Sequence, residues 1–175
     1  TKLLDWDATV KLNLLPLLAK DGHSIHSLST QLTFADQQSD NFDYWFRPST
    51  SRLAMKNDYK GEASRTYSKY RQHSLEWLGN YAMELKGHRA RAMVGYSYQY
   101  FQNSGLNAAN KDFSSDGLLY NNLGSGEWAK EEGRNEMGTN KSDSKLIAFF
   151  GRLSYDYKNR YLMTASLRYE GSSRF

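Results

Sequence analysis

The chain contains no cysteine, so a disulfide framework and thiolate metal sites are both excluded. No apolar run approaches the ~18 residues that a transmembrane helix needs. The 23 basic residues are scattered among 19 acidic ones, and a net charge of +4 without any Lys/Arg run leaves no nucleic-acid footprint. The histidines make no metal set: His23 and His26 are three apart, on opposite faces of a strand, and His73 and His88 stand elsewhere. There is no initiator methionine, and Phe175 follows directly on an apparent strand, so the expectation is a segment of a longer protein.

What is present is tyrosine and alternation. Aromatic residues make up 14% of the chain, 13 of them tyrosine. The mean hydropathy is nevertheless low, at −0.78. Barrel walls combine these properties, because each lipid-facing residue is followed by a polar lumen-facing one; a soluble all-β domain also alternates. The clearest strand runs over 89–102. Its even positions are Ala90, Ala92, Val94, Tyr96, Tyr98 and Tyr100, and its odd positions include Arg89, Arg91, Ser97 and Gln99. The clustered tyrosines suit an interfacial girdle, ring in hydrocarbon and hydroxyl at the headgroups.

The same plan recurs. Before the turn Lys86-Gly87-His88, one row reads Leu75, Trp77, Gly79, Tyr81, Met83 and Leu85. The last hairpin turns at Lys158-Asn159-Arg160, with Ile147, Phe149, Gly151 and Leu153 on one arm and Met163, Ala165, Leu167 and Tyr169 on the other. Near the N-terminus, Leu4, Trp6, Ala8, Val10 and Leu12 alternate with polar residues; a turn is expected over 16–22, then a return strand with Leu28, Thr30, Leu32 and Phe34. The reading is about six strands in three hairpins, with short turns inside the hairpins and long links at roughly 35–64 and 103–143. Structureless loops of that length are unusual in a compact soluble domain. Short turns at one end and long loops at the other are the rule in outer-membrane barrels. The fold class expected is therefore all-β, an antiparallel transmembrane β-barrel segment, and residues 1–175 are one part of a larger barrel that needs further strands to close.

Two sequence blocks carry a family resemblance. GYSYQYFQNSGLNAANKDFSSDGLLYNNLGSG and SKLIAFFGRLSYDYKNRYLMTASLRYEGSSRF together cover about the last half of the chain, and the second is the more specific. They resemble the SusC/RagA-type TonB-dependent transporters of Bacteroidetes outer membranes. The resemblance implies a plugged barrel of ~22 strands, with the plug and a TonB box outside this segment. It further implies a SusD-like surface lipoprotein as a lid, coupling to TonB, and inward transport of an oligosaccharide or, in some members, a peptide. The residues themselves offer no convincing enzyme constellation, so neither enzyme activity nor a cofactor is expected.

Candidate residues follow from position. Tyr44, Trp45 and Phe46 are consecutive in the first long link; Tyr120, Asn121, Asn122 and Trp128 lie in the second. Aromatic faces beside amides suit a sugar, and they equally suit loop packing or a lid protein. Asp36, Asp40, Asn41 and Asp43 offer oxygens to calcium but lack EF-hand spacing. Gly124-Ser125-Gly126 and its neighbours imitate a dinucleotide fingerprint without the βαβ context it requires. On the strand ending at Leu85, the apolar register continues through His73, Arg71, Lys69, Tyr67 and Arg65. The cations Arg65, Lys69 and Arg71 are expected above the membrane, against lipopolysaccharide phosphates, unless a bulge breaks the register. Two other functions remain open at this point. One is a barrel serving as adhesin or as a passive or secretion pore. The other is a membrane-embedded hydrolase, for which the adjacent His73 and Ser74 point apart.

Overall fold

The computed structural model describes residues 1–14, 25–134 and 136–174. The expected turn over 16–22 and His23 lie outside the described residues. Six strands follow one another: β1 (Lys2–Asn13), β2 (Ile25–Arg47), β3 (Glu62–Leu85), β4 (His88–Lys111), β5 (Met137–Tyr157) and β6 (Tyr161–Ser172), with a one-turn helix α1 (Arg52–Lys56) between β2 and β3. They form one sheet in the order β1-β2-β3-β4-β5-β6, so each strand pairs with its sequence neighbours. In the last hairpin, antiparallel β5 and β6 set Phe149 opposite Tyr169 and Gly151 opposite Leu167.

The strands are longer than the sequence pattern suggests. β2 continues to Arg47 and β4 to Lys111, while β3 begins at Glu62 and β5 at Met137. The long links therefore shrink to 48–61 and 112–136. The alternation that marks a strand fades where neither face meets an apolar medium, although backbone pairing continues. The turn joining β3 to β4 is only Lys86-Gly87, with positive φ at both residues (46° and 87°), as a tight primed hairpin turn requires.

Side-chain contacts keep one parity. Trp6 meets Phe34 with ring centroids 5.4 Å apart, and the Trp77 indole donates to the Thr30 hydroxyl at 2.9 Å. Tyr96 meets Phe149 at 5.1 Å. These contacts join even positions of β1, β2 and β4 with odd positions of β3 and β5 into one apolar row. Arg89 pairs with Asp156 at 2.9 Å in the opposite, polar row.

The chain divides into two compact units. One comprises Leu4–Gln37, Arg71–Phe101 and Asp143–Phe175. Its apolar row is bare: Val94 is 52% exposed, Phe149 55% and Leu167 77%. Among the described residues of this unit, Ala148 is the buried hydrophobic side chain. A soluble sandwich would cover such a face with a second sheet. The other unit comprises Thr1–Leu3, Gln38–Tyr70 and Gln102–Ser142, and buries Ala54, Ala63 and Phe113 where its links fold together.

Candidate functional site

The second link is held by a few well-placed polar side chains. Asn110, at the end of β4 and 5% exposed, donates from its amide to the carbonyls of Leu123 (2.8 Å) and Gly126 (2.9 Å). Its carbonyl oxygen accepts from the Ala129 amide at 3.0 Å. Gly126 fits this cradle because it has no side chain: a Cβ there would stand 2.5 Å from the Lys111 carbonyl oxygen. Phe113 bridges to Gly126, and the intervening stretch makes single 3-10 turns at Asp116–Leu118 and Leu123–Ser125.

The first link is fastened to the second. The Asp116 carboxylate accepts from the Ser49 amide and, at 2.8 Å, from the Ser49 hydroxyl. Asp112 accepts from the Lys60 amide at 2.8 Å. Ser51 caps α1 by accepting from the Ala54 amide. These carboxylate and hydroxyl acceptors tie backbone donors of the links without a large core.

Beneath the links, charges alternate across the strand ends. Arg47 pairs with Glu62; Tyr59 accepts from Arg47 at 2.8 Å and donates to Glu62 at 2.9 Å. Lys111 lies 3.6 Å from Glu62 and 3.3 Å from Glu136. The hydrogen bond to Tyr59, together with the Glu62 charge, raises the Arg47 pKa above its usual value. For Lys111, partial burial disfavours the charge, but Glu136 and Glu62 outweigh it and the pKa is raised. Trp128 is engaged in the same cluster, with the Arg134 guanidinium 3.9 Å and the Lys111 ammonium 5.2 Å from its ring centre.

The proposed contact residues are thus placed as follows. Tyr44, Trp45 and Phe46 are not in a loop, as the sequence pattern suggested; they are the last turns of pleat in β2. Tyr44 and Phe46 therefore point one way and Trp45 the other. Tyr44 meets Tyr120 at 4.2 Å and Phe46 meets Phe113 at 6.5 Å, while Trp45 carries the Arg47 guanidinium at 5.1 Å. Asn121 and Asn122 are exposed. The four calcium candidates likewise stand on β2, and each is engaged: Asp36 by His73 at 3.2 Å, Asp40 by Tyr67 at 2.9 Å, Asp43 by the Asn41 amide at 2.6 Å, and the Asn41 carbonyl by the Thr1 hydroxyl at 2.6 Å. Sequence reasoning missed Asn110 and Glu62, and it set Asp116 beside the loop aromatics as a sugar contact where the structure gives it to Ser49. Asn110 is one asparagine among several in an Asn-rich stretch, and no local pattern separates it from its neighbours.

No family model matches the chain. It is 37% identical over 91 residues to TonB-dependent receptor P39 of Formosa agariphila, covering 50% of this chain and 8% of that protein. With TonB-dependent receptor P3 of the same organism it shares 30% identity over 115 residues, 66% of this chain and 11% of that protein. It shares 57% identity over 30 residues with TonB-dependent receptor SusC of Bacteroides thetaiotaomicron, 17% of this chain and 3% of that protein. Over these stretches the chain is similar to TonB-dependent receptors, SusC among them. Solved structures agree in fold: 99% of this chain superposes on 18% of the chain in a structure of the RagAB peptide transporter, with a TM-score of 0.52 and 16% identity. The RagAB importer in its open-open state gives 0.53 at 17% identity, again over 18% of that chain. The chain spans about a tenth of the length of the curated relatives it matches. In a transmembrane barrel of this fold, the apolar row is the lipid-facing one and the polar row faces the lumen.

Proposed function

We propose that this segment forms wall and outer rim of an outer-membrane active importer of nutrients. The observation that carries the reading is the pairing of two features in one chain. A bare apolar row stands about as long as a tilted strand needs to cross a bilayer, and the links at the far strand ends are tied into fixed shape. The sequence identity to TonB-dependent receptors and the superposition on a peptide importer support the same reading. In it, residues 1–175 are part of the barrel domain, a plug and a TonB box lie outside this segment, and a SusD-like lipoprotein closes over the rim. The cargo is an oligosaccharide or a peptide.

In this reading Trp45, Tyr120, Asn121, Asn122 and Trp128 meet substrate or lid, whereas Tyr44 and Phe46, on the parity of the apolar row, pack against Tyr120 and Phe113. They differ in exposure. Trp128 and Tyr120 are engaged within the links, whereas Trp45, 43% exposed, and the exposed Asn121 and Asn122 present free surface. Trp45→Ala in the full-length transporter should lower uptake of labelled glycan or peptide while leaving outer-membrane assembly intact. Trp128→Ala should also loosen the link that holds it. Unchanged uptake in both variants overturns the assignment. Growth on single glycans and on peptides then separates the two cargo classes.

A further inference from the structure

A groove of about 290 Å³ opens beside the ends of β2, β3 and β4, walled by Phe42, Tyr44, Tyr67, Leu106 and Leu123, with Arg65 at its edge. Phe42 and Tyr67 meet at 4.7 Å, and Phe42 and Leu106 remain 54% and 50% exposed. The cations of this part of β3 are not equivalent. Lys69 lies 3.8 Å from Asp40, whose carboxylate also accepts from the Tyr67 hydroxyl. Arg65 is exposed and has no ion pair among the described residues. The one carboxylate lining the groove, Asp43, already accepts from the Asn41 amide at 2.6 Å.

The row to which the groove belongs decides what can reach it. Arg65 and Tyr67 are odd positions of β3, as are Leu75 and Trp77. A bulge would exchange the rows, but the parity of contacts is constant along the strand: Tyr67 meets Asp40, His73 meets Asp36 and Trp77 meets Thr30, odd always with even. The groove therefore belongs to the row that faces away from the lumen, off the path of cargo. What surrounds a barrel on that side is the outer leaflet. Aromatic walls suit the faces of sugar rings, and a guanidinium suits phosphate or carboxylate bidentately.

We infer that this groove holds the anionic saccharide of a surrounding lipopolysaccharide, with Arg65 on its phosphate or carboxylate and Phe42 and Tyr67 against its sugar. Arg65 is the principal contact, and Lys69 is shared with Asp40. The inference rests on the outer-membrane reading above.

The test uses the full-length transporter purified from outer membranes in mild detergent, with lipopolysaccharide retained per protein measured by native mass spectrometry. Arg65→Glu should retain about tenfold less, the change expected from losing one charge-assisted contact. Arg65→Lys should retain an intermediate amount, because it keeps charge and loses the fork. Ser68→Glu, an exposed position of the opposite row, should match wild type. Arg65→Gln serves where the acidic variant fails to assemble. Equal retention in wild type and Arg65→Glu overturns the inference, as does an equal loss in Ser68→Glu, which would mark a diffuse charge effect. Loss of a co-purifying lipoprotein with lipopolysaccharide unchanged gives the groove to a protein partner and also overturns it. Failure of the importer reading is distinct: the wild-type protein would then fractionate outside the outer membrane or support no uptake.

Discussion

The two units of this chain solve opposite problems with the same strands. In the unit made of Leu4–Gln37, Arg71–Phe101 and Asp143–Phe175, large apolar side chains stand bare on one row, and tertiary packing hardly exists. Order there comes from the backbone ladder, and the lipid supplies the apolar medium that a second layer would supply in a soluble protein. In the unit made of Thr1–Leu3, Gln38–Tyr70 and Gln102–Ser142, the same row turns from aliphatic to aromatic and charged, with Phe42 and Tyr67 beside Asp40 and Arg65. Order there comes from side chains that bind backbone groups far along the sequence: Asp116 on Ser49, Asp112 on Lys60, Asn110 on the 123–129 stretch. The lesson is that a strand in lipid needs only the right alternation, whereas a loop in water needs particular partners.

The comparison breaks most sharply when a charge enters the lipid-facing row. Ala92→Arg should cost about 2–4 kcal/mol near the bilayer midplane. Ser97→Arg, on the lumen row of the same strand, should cost much less. Denaturant titration of the full-length barrel folded into lipid vesicles measures both; equal penalties would contradict the facing assigned here.

The next largest effect belongs to the other unit. Asn110→Ala strips two backbone carbonyls and two backbone amides of their Asn110 partner, and should loosen the 112–134 link by about 1–3 kcal/mol. The barrel itself should remain. Limited proteolysis should then cut within the link while the strands stay resistant, and resistance of the link equal to wild type would show that other contacts suffice.

The smallest effect is a titration. The folded pKa of Lys111 is raised above 10.5, burial opposing but Glu136 and Glu62 prevailing. That of Tyr120 is raised above 10.0, by desolvation and then by its hydrogen bond to Tyr44. A raised folded pKa, for an amine or a phenol, means stability that is whole below the unfolded pKa and lost as pH rises through the folded one. The links should therefore loosen above about pH 10, while the lipid-facing rows stay unchanged. Protease sensitivity of the link against pH checks this, and a link that loosens on acidification instead would reverse the sign.

Much of the first unit was legible in the sequence. Trp77 beside Gly79 and Tyr81, or Phe149 beside Gly151 and Leu153, declares a face at every second residue, and both short turns fall where they were expected. Strand ends were not legible. Asp36, Asp40 and Tyr44 read as loop because a rim strand has no apolar face to display, yet they lie on β2 and pair with β3. The candidate site was half legible. Its aromatics stood out by type, but which of them are free and which are engaged depends on Arg134, Lys111 and Phe113.

The sequence by itself determined the strands and their facing, because period-two alternation is local and each residue states its own medium. Only the tertiary structure decided how the rim is held and where Arg65 stands among its neighbours. Those contacts join residues as distant as Ser49 and Asp116, 67 positions apart, and no local pattern can encode a partner that the chain reaches only after its strands have paired.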